Sequence, residues 1–171
     1  MTTLGVEMVQ ADLNDETSLR RAFEGATHIF ANIDSVSLIM ESVQDPSLLK
    51  AGQSPFQRGA EREKLLAGNV IRAAADLLTL QRIIWSTLPS ASARSNGKYT
   101  GVSHFDAKDA VAEMFQANEV LRGKVSFLIF GLYFDMPLRI PALYPISKVS
   151  ALLFAMSART LRADRVVEAG K

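Results

Sequence analysis

The sequence predicts an α/β domain built on a parallel sheet. Two observations carry that reading. Short β-rich runs, at residues 28–31, 83–86 and 125–130, alternate with segments whose apolar residues recur at helical spacing. The connections between them are long enough for helical crossovers, which implies parallel strands with helices on both faces.

Each element has its own warrant. Residues 6–10 alternate and predict a short strand. Asn14 or Asp15 then caps a helix whose first turn is acidic. Leu19, Ala22 and Phe23 form its apolar face, and Gly25 suits the position just past its end. Residues 28–31 predict a buried strand. Residues 32–57 are weakly patterned and hold Pro46, Gly52 and Pro55, so a long loop is expected. A helix is expected over 58–78, with Leu66, Val70, Ala74 and Leu77 on its buried face. Residues 83–86 predict the next strand. Residues 90–99 are Ser-rich and carry the turn pair Asn96-Gly97. Ser103 is expected to cap a helix running to 120 that buries Ala107, Val111, Met114 and Phe115. Residues 125–130 predict a strand buried on both faces. Pro137, Pro141 and Pro145 break the chain before a last helix carrying Val149, Leu152, Leu153 and Met156.

Composition narrows the function classes. The chain has 171 residues, 48% apolar and 22% charged, which suits one domain with a proper core. A net charge of +1 gives no bulk attraction to nucleic acid, so no direct nucleic-acid partner is expected. There is no cysteine, which excludes a disulfide framework, a thiolate metal site and a cysteine nucleophile. His28 and His104 are too far apart in sequence for a metal-ligand pair. No run approaches the ~20 apolar residues of a membrane span, and residues 1–10 lack the pattern of a signal peptide. A place in the cytoplasm or the nucleus, away from membranes, is expected.

Several strings, taken in order, resemble the NmrA-like family, atypical relatives of the short-chain dehydrogenases. They are Gly5-Val6-Glu7-Met8-Val9-Gln10-Ala11-Asp12-Leu13-Asn14-Asp15, Ser18-Leu19 with Ala22 and Gly25, and Gly68-Asn69. The most specific is Gly97-Lys98-Tyr99-Thr100-Gly101-Val102-Ser103-His104-Phe105-Asp106-Ala107-Lys108, and Gly131-Leu132-Tyr133 follows. Together they span residues 5–135, and the long segment after residue 31 fits the fungal-type branch.

The resemblance implies a doubly wound parallel sheet that binds NADP at the carboxyl ends of its strands. Relatives fall into two groups: oxidoreductases, often of secondary metabolism, and redox-sensing regulators that bind the cofactor without turning it over. By the resemblance, residues 6–10 are already the third strand. The expected fold is therefore a partial Rossmann-like sheet lacking the first two strands and the glycine-rich loop. No Gly-x-Gly-x-x-Gly occurs in the chain. That loop would bring backbone N–H groups to the pyrophosphate, so NADP is expected to bind weakly or not at all. The strand at 6–10, left without its neighbour, must pair with residues 28–31, pair with another chain, or stay loose. Residues 1–135 are expected to form the partial NAD(P)-binding domain and 136–171 a divergent helical segment. Truncation of the family pattern is expected at the N-terminus and at the C-terminus.

The resemblance also assigns roles. His104-Phe105-Asp106-Ala107-Lys108 stands where short-chain dehydrogenases carry Tyr-x-x-x-Lys, whose two side chains share a helical face. Lys108 would then contact the nicotinamide ribose, and His104, replacing the tyrosine, would be an acid or base near neutral pH. The plainer alternative is a helix-start histidine and a solvated lysine. Asp12 and Leu13 would receive the adenine, and otherwise serve as a turn and a core residue. Ala31 and Asn32 end a strand at the switch-point side, where Asn32 would bond a ribose or cap a loop. Gly131 and Tyr133 would line the nicotinamide pocket, and Tyr99 a substrate loop. Ser86 and Thr87 end a strand near the usual catalytic serine, but Leu88 or Pro89 align closest to it, so the Ser-Tyr-Lys set is incomplete. Three readings stay open: an NADP-dependent oxidoreductase of a small-molecule substrate, a non-catalytic sensor acting through a protein partner or as a homodimer, and an inactive fragment.

Overall fold

The computed structural model describes residues 7–130. Asp15, not Asn14, caps the first helix: its carboxylate accepts from the Thr17 N–H at 2.9 Å. Helix α1 (Glu16–Phe23) buries Leu19 and Ser18. Gly25 follows with φ of +74°, a conformation that favours glycine, and turns the chain into strand β1 (His28–Ala31).

Residues 7–10 form no strand and are exposed, contrary to the sequence expectation. The reason is lack of a partner. Strand β1 pairs only with β2, so it ends the sheet among the described residues. A lone extended segment gains nothing over hydration by water.

The segment expected as a loop holds a helix. Helix α2 (Ser35–Gln44) starts at Asp34, whose carboxylate accepts from the Val36 N–H at 3.0 Å. It buries Leu38 and Ile39, and Asp45-Pro46 ends it in a single 3₁₀ turn (Pro46–Leu48). Its outer face carries exposed Val36, Met40 and Val43, which blurs the period in the sequence.

Helix α3 (Pro55–Ala75) starts three residues earlier than expected. Ser54 and Gln57 form a reciprocal capping box, with Pro55 at the first helical position. Its long buried face carries Leu66, Val70 and Ala74 as anticipated. Strand β2 (Arg82–Thr87) follows, then the one-turn helix α4 (Ala91–Arg94), capped by Ser90. The Asn96-Gly97 turn has φ of +52° and +80°. Helix α5 (Ser103–Ala117) is shorter than expected and Ser103 does not cap it; Val102 stands at the cap position, without a side-chain bond. Strand β3 is Val125–Ile129. It is not buried on both faces as expected: residues 125–127 are half-buried, and Leu128 and Ile129 are exposed at the other edge of the sheet.

The architecture is α/β, a three-stranded parallel sheet of order β1-β2-β3 flanked by helices, as a partial Rossmann-like fold requires. Ala31 aligns with Trp85, and Trp85 with Phe127. Trp85 is fully buried and packs on Phe115 of α5 at 5.1 Å between rings. Ile29, Val70, Ile83 and Val111 share that core. The alternate positions Phe30, Ile84 and Leu128 point to the other face, where Phe30 and Leu128 are exposed. Gly131, Tyr133, the expected boundary after 135 and the helix around 149–156 lie outside the described residues.

Candidate functional site

Helix α5 follows β2 and returns alongside it, so Lys108 arrives near the carboxyl ends of β1 and β2. The lysine is buried, and each of its three ammonium protons faces an oxygen. Its Nζ donates to the Glu63 Oε1 at 2.8 Å, the Ile33 carbonyl at 3.0 Å and the Asn32 Oδ1 at 3.4 Å. Glu63 comes from α3 and is 0% exposed. Its other oxygen, Oε2, accepts from the Ser35 hydroxyl at 2.6 Å. Thr87 holds the lysine's backbone, donating to the Lys108 carbonyl at 2.9 Å. An isolated charge in such a place is costly, and the pair with these added hydrogen bonds offsets that cost.

Lys108 is therefore not a solvated lysine. It meets Asn32, so the fold brings together two residues singled out from sequence. Neither Glu63 nor Ser35 was among them. The signal for Glu63 was present: a carboxylate on the buried face of α3, between Gly59 and Leu66. For Ser35 there was none, because its segment was not expected to be helical.

His104 lies one turn before Lys108, half-buried between Phe105 and Phe56, with ring centroids at 4.9 and 6.5 Å. Its Nδ1 is buried without a hydrogen-bond partner among the described residues. Burial pushes its pKa below the ordinary 6.5, and nearby Lys108 adds to that, while Glu63 and Asp106 oppose it. Asp106 faces another way. Its Oδ1 accepts from the Ser90 hydroxyl at 2.8 Å and the Ser92 N–H at 3.1 Å, tying α5 to α4. The Ser92 N–H bond leads in holding its carboxyl below the usual range.

Leu13, Ala31 and Asn32 line one cavity of about 190 Å³, together with Ile29, Phe30, Val70 and Trp85. Asn69 of α3 fixes the turn beside it, donating to the Leu13 carbonyl at 2.7 Å. Asp12 is exposed, and its carboxylate is engaged by the Asn14 N–H and side-chain amide, both at 2.8 Å. The bond from the Asn14 N–H is the main cause of its lowered pKa. Tyr99 is exposed, with the Lys98 ammonium 5.1 Å from its ring centre. A more open groove of about 290 Å³ lies between α3 and α5 and holds none of the residues expected to bind cofactor or act in catalysis. Among the described residues no group of acidic or histidine side chains could hold a metal ion, and no helix is long and apolar enough to cross a membrane.

These residues fit part of a dinucleotide. Asn32 and Lys108 present an acceptor and a cation at a strand end, which suits a ribose. The cavity walls suit the edge of a flat ring, but 190 Å³ is below the ~300–1,000 Å³ of most small-molecule sites. No glycine-rich turn joins a strand to a helix N-terminus among the described residues, so the fit stops short of the phosphates.

No curated protein matches the chain. The model of the NmrA-like family matches residues 1–137, most of the sequence and all of the described sheet. With a parallel sheet of the Rossmann-like kind and a buried lysine at its carboxyl edge, the chain belongs to the NmrA-like family.

Proposed function

We propose that this chain is an oxidoreductase-like protein that takes NADP at the carboxyl edge of its sheet. One observation carries the reading: Lys108 is held beside Asn32, at the end of β1, with its charge balanced from below by Glu63. In this reading Asn32 and Lys108 receive the nicotinamide ribose with Ala31 beside them at the strand end, Leu13 packs on the adenine ring, and Asp12 accepts from its amino group. Bound NADP would supply the hydride chemistry; the residues of this chain bind and orient. Gly131 and Tyr133 belong to the same proposal. The long segment after β1 supports a place in the fungal-type branch.

A second reading is a sensor that binds the cofactor without turnover and acts on a protein partner. Two observations favour it. The Lys108 protons are all engaged by protein oxygens, and His104 Nδ1 has no hydrogen-bond partner among the described residues to orient the ring.

The test is a titration of the purified chain with NADPH, exciting Trp85, the sole tryptophan. Trp85 lines the same cavity as Ala31 and Asn32, so a nicotinamide bound there receives its energy. Weak but saturable transfer, reached below millimolar NADPH, is the expected result, because no glycine-rich turn holds the phosphates. No transfer up to millimolar ligand overturns both readings. Oxidation of bound NADPH by small carbonyl compounds separates the oxidoreductase from the sensor.

A further inference from the structure

Helix α3 presents a carboxylate to the core, and nothing in helix packing asks for one there. Glu63 lies on the face that otherwise holds Gly59, Leu66, Ala67 and Val70. It is fully buried, so its charge has to be met inside the protein. Both oxygens are used. Oε1 takes the Lys108 ammonium at 2.8 Å and Oε2 takes the Ser35 hydroxyl at 2.6 Å. Ser35 is itself buried at the start of α2, only three residues beyond Asn32. The carboxylate is thus clamped on both sides and has no freedom to swing.

The lysine's bonds are unequal. Those to Glu63 and the Ile33 carbonyl, at 2.8 and 3.0 Å, are of normal length. The one to Asn32, at 3.4 Å, is long and weak. Two bonds fix where the ammonium sits, and the third proton is the one that can be exchanged. It points to the end of β1, where the proposed ribose lies.

We propose that Glu63, braced by Ser35, is the positioning residue for Lys108. It anchors the ammonium through two protons and leaves the third, now on Asn32, for a ribose hydroxyl. The inference rests on the NADP reading above. Neither Glu63 nor Ser35 touches the ligand; both act through the lysine.

The experiment measures NADPH affinity in the full chain carrying Glu63→Ala, Glu63→Gln or Ser35→Ala. Adenosine 2′,5′-bisphosphate, which lacks the nicotinamide ribose, is measured beside it by displacement. Glu63→Ala is expected to weaken NADPH about tenfold, the scale of one hydrogen bond to a charged group. It leaves the bisphosphate unchanged. Glu63→Gln keeps an acceptor for the lysine in the same place and restores most of the affinity. Ser35→Ala keeps the ion pair and loosens it, weakening NADPH about threefold. If Glu63→Ala does not fold, Ser35→Ala carries the test. Glu63→Ala or Ser35→Ala protein that binds NADPH as the wild type does, or that loses both ligands equally, overturns the inference and leaves the NADP reading intact. A wild-type chain that binds no NADPH overturns the reading and the inference together.

Discussion

His104 and Lys108 sit one turn apart on α5 and meet opposite fates. The lysine is buried with a full set of acceptors. The histidine is half-buried with Nδ1 unbonded, and its pKa is held below 6.5 chiefly by burial. The linkage has a definite sign. A histidine depressed in the folded state binds fewer protons there than in the unfolded chain, so stability rises with pH through that window. The contribution is full above the unfolded value of 6.5 and is lost as pH falls below it. The carboxylates with lowered pKa, such as Asp34 and Asp106, titrate below 3.8 and act in a separate, more acidic window. Wild-type protein should therefore lose urea resistance between about pH 7.5 and about pH 5, and His104→Gln should lose less. Equal losses in the two proteins would show that His104 titrates normally. At this scale the sequence showed Lys108 and Asn32 but not their meeting. A hydrogen bond between residues 76 positions apart depends on where β1 ends and how α5 packs beside it, not on either local string.

Helices α2 and α3 meet at Gly59. A Cβ there would lie 2.7 Å from the Ile39 Cγ1 and 3.4 Å from the Ile39 backbone nitrogen. Alanine in a helix normally gains about 1 kcal/mol over glycine. Overpacking a close contact costs about 1–3 kcal/mol, and here one neighbour is backbone. Gly59→Ala is expected to lower stability by about 1 kcal/mol net, read as a fall of a few degrees in Tm. A rise in Tm would mean that α2 is free to move away from α3. This contact matters to the site because α2 carries Ser35, and α3 carries Glu63. The helix itself was hidden in the sequence. Asp34 is a sound cap, but Val36, Met40 and Val43 put apolar side chains on the solvent face, so no single stripe stands out.

Across the described sheet, β1 and β3 are the two edges. The outer edge of β1 offers unpaired backbone groups, and Phe30 beside it is 59% exposed. Charged residues commonly blunt such an edge, and β1 carries none apart from the histidine that opens it. Purified protein is expected to associate as concentration rises, and Phe30→Lys to suppress that in light scattering. Identical scattering from both proteins would place the association elsewhere. The expected strand at 6–10 belongs to this scale as well. Its alternation is a real local signal, yet a strand exists only where a neighbour completes its hydrogen bonds. Among the described residues none does so, and residues 7–10 lie exposed.

Local pattern alone gave the alternation of strands and helices, a cap at Asn14 or Asp15, the turn at Asn96-Gly97 and the buried faces of α3 and α5. Those features depend on neighbours within one turn or one strand, so short-range periodicity reports them. The sequence also carried the ordered strings that resemble the NmrA-like family, which the family model matches over residues 1–137. Only the tertiary structure decided that α2 is a helix, that residues 7–10 are not a strand, and that Lys108 is bound to Glu63. A carboxylate in the core is intelligible only once its cation is seen. The partners here, Ser35, Glu63 and Lys108, come from three helices, and packing those helices on one sheet is what brings their polar groups within 3 Å.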